Sequence, residues 1–132
     1  MKKSDFISTL RDMLELAGRS GQISSVPFFV FSMPSTVTEA VMLRNLMPVK
    51  INAELPDLRD IEFQVIVRSK SYQRSRELGF EVANYLSTMM PSQIPGHQLN
   101  LCIPLHEPHA YPQSPGGNVE VLVNMRANYV TL

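Results

Sequence analysis

The sequence predicts an α+β fold, with a mixed, largely antiparallel sheet of four to five strands and two helices packed on it. Three observations carry this. Apolar residues recur at three-and-four spacing over residues 4–17 and again over 72–90, the period of a helix with one buried face. They alternate with polar residues over 61–68 and 119–129, the period of a strand with two unlike faces. The resulting order of helix, strands, helix, strands shows no internal repeat and no domain boundary, so residues 1–132 read as one domain.

The first helix places Phe6, Ile7, Leu10, Met13, Leu14 and Ala17 on one face, with Ser4 as the expected N-cap and Gly18 as the stop. A Gly/Ser-rich link leads to residues 26–33, an apolar run short enough for a buried strand, with Pro27 at its start because proline cannot donate to a ladder. Residues 40–47 suit strand or helix and are read as a strand between Pro34 and Pro48. In 61–68, Phe63, Val65 and Val67 oppose Glu62, Gln64 and Arg68. From Tyr72 to Met90 the arc of Tyr72, Leu78, Val82, Ala83, Tyr85, Leu86, Met89 and Met90 predicts a helix of about 27 Å. Pro91 and Pro95-Gly96 end it, and Leu99 to Ile103 supplies a short strand. The last strand alternates Val119, Val121, Val123, Met125, Ala127 and Tyr129 with Glu120, Asn124, Arg126 and Asn128. The core expected from these elements is Ile7, Leu10, Leu14, Phe29, Phe31, Phe63, Val65, Val67, Val82, Leu86, Val121 and Val123.

Composition narrows the function. Twelve Lys and Arg balance twelve Asp and Glu, so no global field draws the chain to nucleic acid or an anionic membrane. The lone Cys102 lies between Leu101 and Ile103 and reads as a buried core residue, with no disulfide framework to build. The basic start runs into an amphipathic stretch, unlike a signal peptide, and no run reaches the roughly 18 apolar residues of a membrane span. No membrane partner is expected, and the protein is expected in the cytoplasm where it is made.

Catalytic patterns are missing. There is no G-x-S-x-G run, and Gly116-Gly117 precedes a strand where a phosphate loop would open a helix. His106, Glu107 and His109, with His97, are the best metal candidates, but they sit in a proline-rich loop without ligand spacing and read as exposed loop residues. Neither an enzyme activity nor a cofactor is expected.

Two features break local rules. Arg68, Lys70, Arg74 and Arg76 fall within nine residues without an acid, where positive charge opposes the dipole of the second helix. A solvated helix start, offset by Glu77 and Glu81, is the plain explanation; an acidic protein neighbour or nucleic-acid phosphate is the functional one. Phe80 lies on the polar flank of the same helix, at the edge of the core or as an interface anchor. The fourteen residues from Pro104 to Gly117 hold four prolines and no periodicity, which suits an arm reaching a neighbour. Partner contact is therefore expected from Arg68, Lys70, Arg74, Arg76 and Phe80, and from His106, His109 and Tyr111 on the arm.

The run Val41-Met42-Leu43-Arg44-Asn45, the Glu54-Leu55-Pro56-Asp57-Leu58 turn, Phe63-Gln64-Val65-Ile66-Val67-Arg68 and the helix-opening Tyr72 resemble the tail terminator proteins of tailed bacteriophages, also labelled minor capsid proteins. The likeness covers residues 40–90, with weaker agreement in the closing strand. It departs at Ser71, where the family pattern has an acid, and at Leu46 to Val49, where a glycine turn is usual. The resemblance implies a homo-oligomeric ring, commonly a hexamer, on the head-proximal end of the tail. Such a ring stops polymerisation of the tail tube protein and docks to the head connector protein, with DNA passing through its lumen. The virion is then the location. Another ring protein of the head-tail joint is the alternative within the class. A nucleic-acid-binding module using residues 68–76 is the alternative outside it, disfavoured by zero net charge.

Overall fold

The computed structural model describes residues 5–87, 91–110 and 117–132. Two helices, α1 (Phe6–Arg19) and α2 (Tyr72–Ser87), cover one face of a curled mixed sheet. The strands are β1 (Phe28–Val30), β2 (Ala40–Asn45), β3 (Lys50–Ile51), β4 (Leu58–Ser69), β5 (Ser92–Ile94), β6 (His97–Pro104), β7 (His109–Ala110) and β8 (Val119–Thr131). The main path is β1-β2-β4-β8-β6-β5, with β3 paired to β4 and β7 to β8. The expected four to five strands are thus too few. Those missed, β3, β5 and β7, are two or three residues long, too short to display a period of two.

The spine of the sheet is the antiparallel ladder of β4 and β8, which runs from Leu58 opposite Val130 to Ser69 opposite Val119. It is long because both strands alternate without interruption: Phe63, Val65, Val67, Val121, Val123, Met125 and Ala127 are all fully buried under the helices. Among the described residues only β1 runs parallel to its neighbour, β2. A register shift between Leu99 and Leu101 puts a bulge in β6. The side chain of the intervening Asn100 donates to Asn128 Oδ1 at 2.9 Å.

Asp5 caps α1, its carboxylate accepting from Ser8 N at 3.2 Å. That cap lies one residue after the expected Ser4, which falls outside the described residues. Gly18 does not stop the helix. It is buried within it, where a β-carbon would come 3.3 Å from the Ser24 carbonyl oxygen, so this glycine permits a close approach of the returning chain. The positive φ belongs to Gly21, at 84°. Phe6 stacks on Tyr129 with ring centroids 4.0 Å apart, and His97 meets the edges of both, pinning the start of α1 to β6 and β8.

The expected strand over 26–33 shrinks to three residues because Phe31 turns to φ 68° and leaves the ladder. Phe31 is 55% exposed and Phe29 packs on the far face of the sheet, so neither joins the helix-side core as expected; the other ten expected core residues are buried. The second helix is described to Ser87, so Met89 and Met90 lie outside the described residues, and Tyr72 is exposed instead of sharing the buried arc.

Candidate partner-binding surface

The face of the sheet away from the helices carries the side chains that could meet a partner. Its residues alternate with the core, so the pleat that buries Val65 and Val123 under the helices turns Gln64, Ile66, Leu122 and Asn124 to the opposite face, where Gln64, Ile66 and Leu122 are themselves buried. A cross-strand polar chain is built from residues in register. Arg44 Nε donates to Gln64 Oε1 at 2.8 Å, and Gln64 Nε2 donates to Asn124 Oδ1 at 3.0 Å. Asn128 donates to Asp60 at 3.1 Å, and Arg126 stands 3.6 Å from the same carboxylate. Set among them is a small apolar island of Met42, Ile66 and Leu122, with Phe29 and Met33 against it.

The basic cluster of the sequence does not survive as a cluster. Arg68 and Glu120 face each other across β4 and β8, bonded at 2.8 Å and mostly shielded from water. The Arg68 guanidinium also donates to the carbonyls of Pro34 at 2.9 Å and Val37 at 3.3 Å, tying the link before β2 to the sheet. Arg74 reaches Glu39 at 3.2 Å. Arg76 lies over the ring of Phe80, 4.8 Å from its centroid, and Lys70 is exposed. The acids absent from the local sequence are delivered from residues 39 and 120, a pairing that linear spacing does not reveal. Glu81, expected to offset these charges, instead clamps Ser24, accepting from its N–H at 2.6 Å and its hydroxyl at 3.0 Å.

The start of α2 tolerates its basic residues because serines hold it. Ser71 Oγ accepts from Arg74 N at 3.0 Å, an N-cap that serves as well as the acid usual in the resembled pattern. Below it, Ser69 Oγ donates to the Ser71 carbonyl at 2.7 Å. The buried Ser75 hydroxyl is within reach of Ser69 Oγ at 2.6 Å and of the Val119 carbonyl at 3.0 Å. Ser71 stood out only as a departure from the resembled pattern, and no feature of the sequence marked Ser69 or Ser75 as more than polar filler.

Of the proposed arm, His106 to Ala110 is described, and Tyr111 lies outside the described residues with the rest of the loop up to Gly116. The His106 ring is held at both nitrogens: Nε2 accepts from Asn124 N at 3.1 Å, and in that tautomer Nδ1 donates to the Glu107 carbonyl at 2.6 Å. His109 pairs by its backbone opposite Leu122 and exposes its side chain. Phe80 and His106 meet across a shallow groove between α2 and the β6–β7 link. The candidate site therefore divides into that groove, holding Phe80 and His106, and the open sheet face, holding Arg68 on its rim. Among the described residues no three His, Cys, Asp or Glu side chains gather as metal ligands. Burial pushes the Cys102 thiol up to about 12, which suits a packing residue.

A family model described as "Bacteriophage tail terminator protein" matches residues 9–131. No curated protein matches the chain in sequence. Among solved structures, the chain superposes on one from the "Virion of native gene transfer agent (GTA) particle" with a TM-score of 0.69 and 10% identity, covering 95% of this chain and 94% of that one. At that identity the likeness is one of fold.

Proposed function

Since the chain belongs to the bacteriophage tail terminator family, we propose that this structural protein of the virion closes into a ring on the head-proximal end of the tail tube. There it stops the tube from growing and presents its other side to the head connector. The observation that carries the reading is the match of the family model across residues 9–131, which takes in both helices almost entirely and every strand. The architecture is suited to the task. A sheet backed on one face by helices leaves the other face for neighbours, and a closed ring requires each subunit to offer two different complementary surfaces. About 800 Å² per partner makes a standard interface.

Contact with DNA in the lumen has little unpaired charge to draw on within residues 68–76. Arg68 and Arg74 are each paired with a carboxylate, leaving Lys70 and Arg76 to supply the local field. Electron microscopy of the purified protein mixed with assembling tail tubes tests the reading. Rings at one tube end and a fixed tube length are expected. Tubes that elongate unchecked in the presence of the protein would overturn it.

A further inference from the structure

Asn124 on β8 falls between two stretches of ladder. On the side of β6 the register ends at Pro104 opposite Met125, and on the side of β7 it begins again at His109 opposite Leu122. The Asn124 carbonyl accepts from Leu105 N at 2.8 Å, but the Asn124 N–H donates to a side chain, His106 Nε2, at 3.1 Å. An imidazole nitrogen thus stands where a ladder would have a backbone carbonyl. The other ring nitrogen, Nδ1, lies 2.6 Å from the Glu107 carbonyl and sets the ring in that position.

The bond to Asn124 is conditional on charge. A backbone N–H can only donate, so Nε2 must be without a proton to meet it. A protonated ring carries N–H on both nitrogens, and its Nε2–H would point at the N–H of Asn124. The bond from Nδ1 survives protonation and the bond at Nε2 does not. Histidine is the side chain whose charge ordinarily changes between about pH 5 and 8.

Two titratable groups line the same surface, Glu107 beside the ring and His109 on β7. From α2 the ring meets Phe80, Ala83 and Asn84, and from β8 Leu122, Val123 and Asn124, none of which titrates. Arg76, 4.8 Å over the Phe80 ring, adds a positive charge from α2. The Glu107 carboxylate favours a charged His106, while Arg76 and a charged His109 oppose it.

We propose that His106 is a proton-operated latch: neutral, it holds the 105–108 link against β8, and protonated, it releases Asn124 and lets the link lift. Little else secures the link. Leu105 N gives one bond, Pro108 packs on Gly79, and β7 beyond it is two residues long. The pH then sets the shape of the groove between Phe80 and His106. The latch works within a single subunit, so it stands or falls apart from the ring.

Amide hydrogen exchange of the full chain, followed by NMR from pH 8 to pH 5 and expressed as protection factors, tests it. Protection at Asn124 N and Leu105 N is expected to fall by about fivefold or more. Leu46 N, which donates to the Glu62 carbonyl at 2.9 Å, is the reference and is expected to keep its protection. The loss is expected in His109→Gln as in the wild type, and it is expected to vanish in His106→Gln, whose amide oxygen does not titrate. Ring nitrogen shifts of His106 in the wild type follow its protonation directly, so the test does not hang on a variant that folds. Protection at Asn124 that stays flat while the His106 ring takes up its proton would overturn the proposal. A loss that persists in His106→Gln, or disappears in His109→Gln, would overturn it too. Loss at Asn124 with Leu105 unchanged would mean that the ring leaves without the link, and that result also rejects the latch.

Discussion

Pro108 packs closely on Gly79: a β-carbon at position 79 would stand 3.3 Å from Pro108 Cγ and 3.4 Å from its Cβ, a tight contact. A glycine in mid-helix costs about 1 kcal/mol relative to alanine, and here it lets the link between β6 and β7 lie directly on α2. Pro108 also lines the Phe80–His106 groove.

Replacing Gly79 with leucine is therefore expected to lower stability by about 1–3 kcal/mol, because the gain in helix propensity is smaller than the cost of overpacking against a buried proline. Chemical denaturation checks the loss. Faster hydrogen exchange at Leu105 N, which donates to the Asn124 carbonyl at 2.8 Å, would show that the link has been lifted. An unchanged midpoint with unchanged exchange would contradict the packing described.

Leu86 and Val65 face each other's side of the interface between α2 and the sheet, and both are fully buried. Alanine at Leu86 is expected to cost about 2–4 kcal/mol through lost transfer energy and the cavity left behind, and at Val65 an amount near the lower end of that range. Urea unfolding followed by circular dichroism measures both.

The elements legible in the sequence were those long enough to repeat a period. The spine of β4 and β8 and the helix arc of Leu78, Val82 and Leu86 followed from spacing alone. Phe31 was misread because an apolar run says nothing of a backbone that turns left-handed in its middle. The ion pairs of the basic cluster were not legible for a different reason. Two acids that pair with the cluster, Glu39 and Glu120, are 35 and 52 residues away from their partners; Glu120 comes into place through the register of β4 and β8, and Glu39 through the packing of α2 beside the start of β2.

Cys102 is fully buried, and desolvation of the thiolate pushes its thiol up from 9.0 to about 12. Thiol reagents at pH 8 are expected to label the unfolded protein quickly and the native protein only at its rate of opening. The linkage has a definite sign. The folded pKa is raised, so the contribution to stability is complete below pH 9 and is lost as pH rises toward 12, where the unfolded chain has released a proton that the native one still holds. A Cys102→Ala variant is expected to lose less stability between pH 9 and 11 than the wild type.

Arg74 and Glu39 are both substantially exposed, and Arg76 covers Phe80 from the solvent side. Neutralising Arg74 to glutamine is expected to change stability by less than about 0.5 kcal/mol, since water and salt screen such a pair. Arg76→Ala is expected to cost about 0.5–1 kcal/mol by uncovering the aromatic face. A loss well above these values in thermal unfolding would mean that the cluster holds the fold in some further way.

Arg68 is the cluster residue on which the fold leans. Its Nε meets Glu120 at 2.8 Å with both side chains less than a fifth exposed, and the same guanidinium holds the carbonyls of Pro34 and Val37. Arg68→Ala removes all three contacts and leaves a shielded carboxylate opposite an empty position, so a loss of about 2–4 kcal/mol is expected. Glu120→Gln keeps a hydrogen-bond acceptor and is expected to cost about 1 kcal/mol. The double variant separates the pair from the rest. A coupling of about 1–2 kcal/mol between the two positions is expected from a contact this close. The remainder of the Arg68 effect then belongs to the anchored link over 34–37, and it appears as faster exchange at Val37 N, which donates to the Pro34 carbonyl at 3.3 Å. Purely additive losses at 68 and 120 would mean that the ion pair contributes nothing and that Arg68 acts through the link alone.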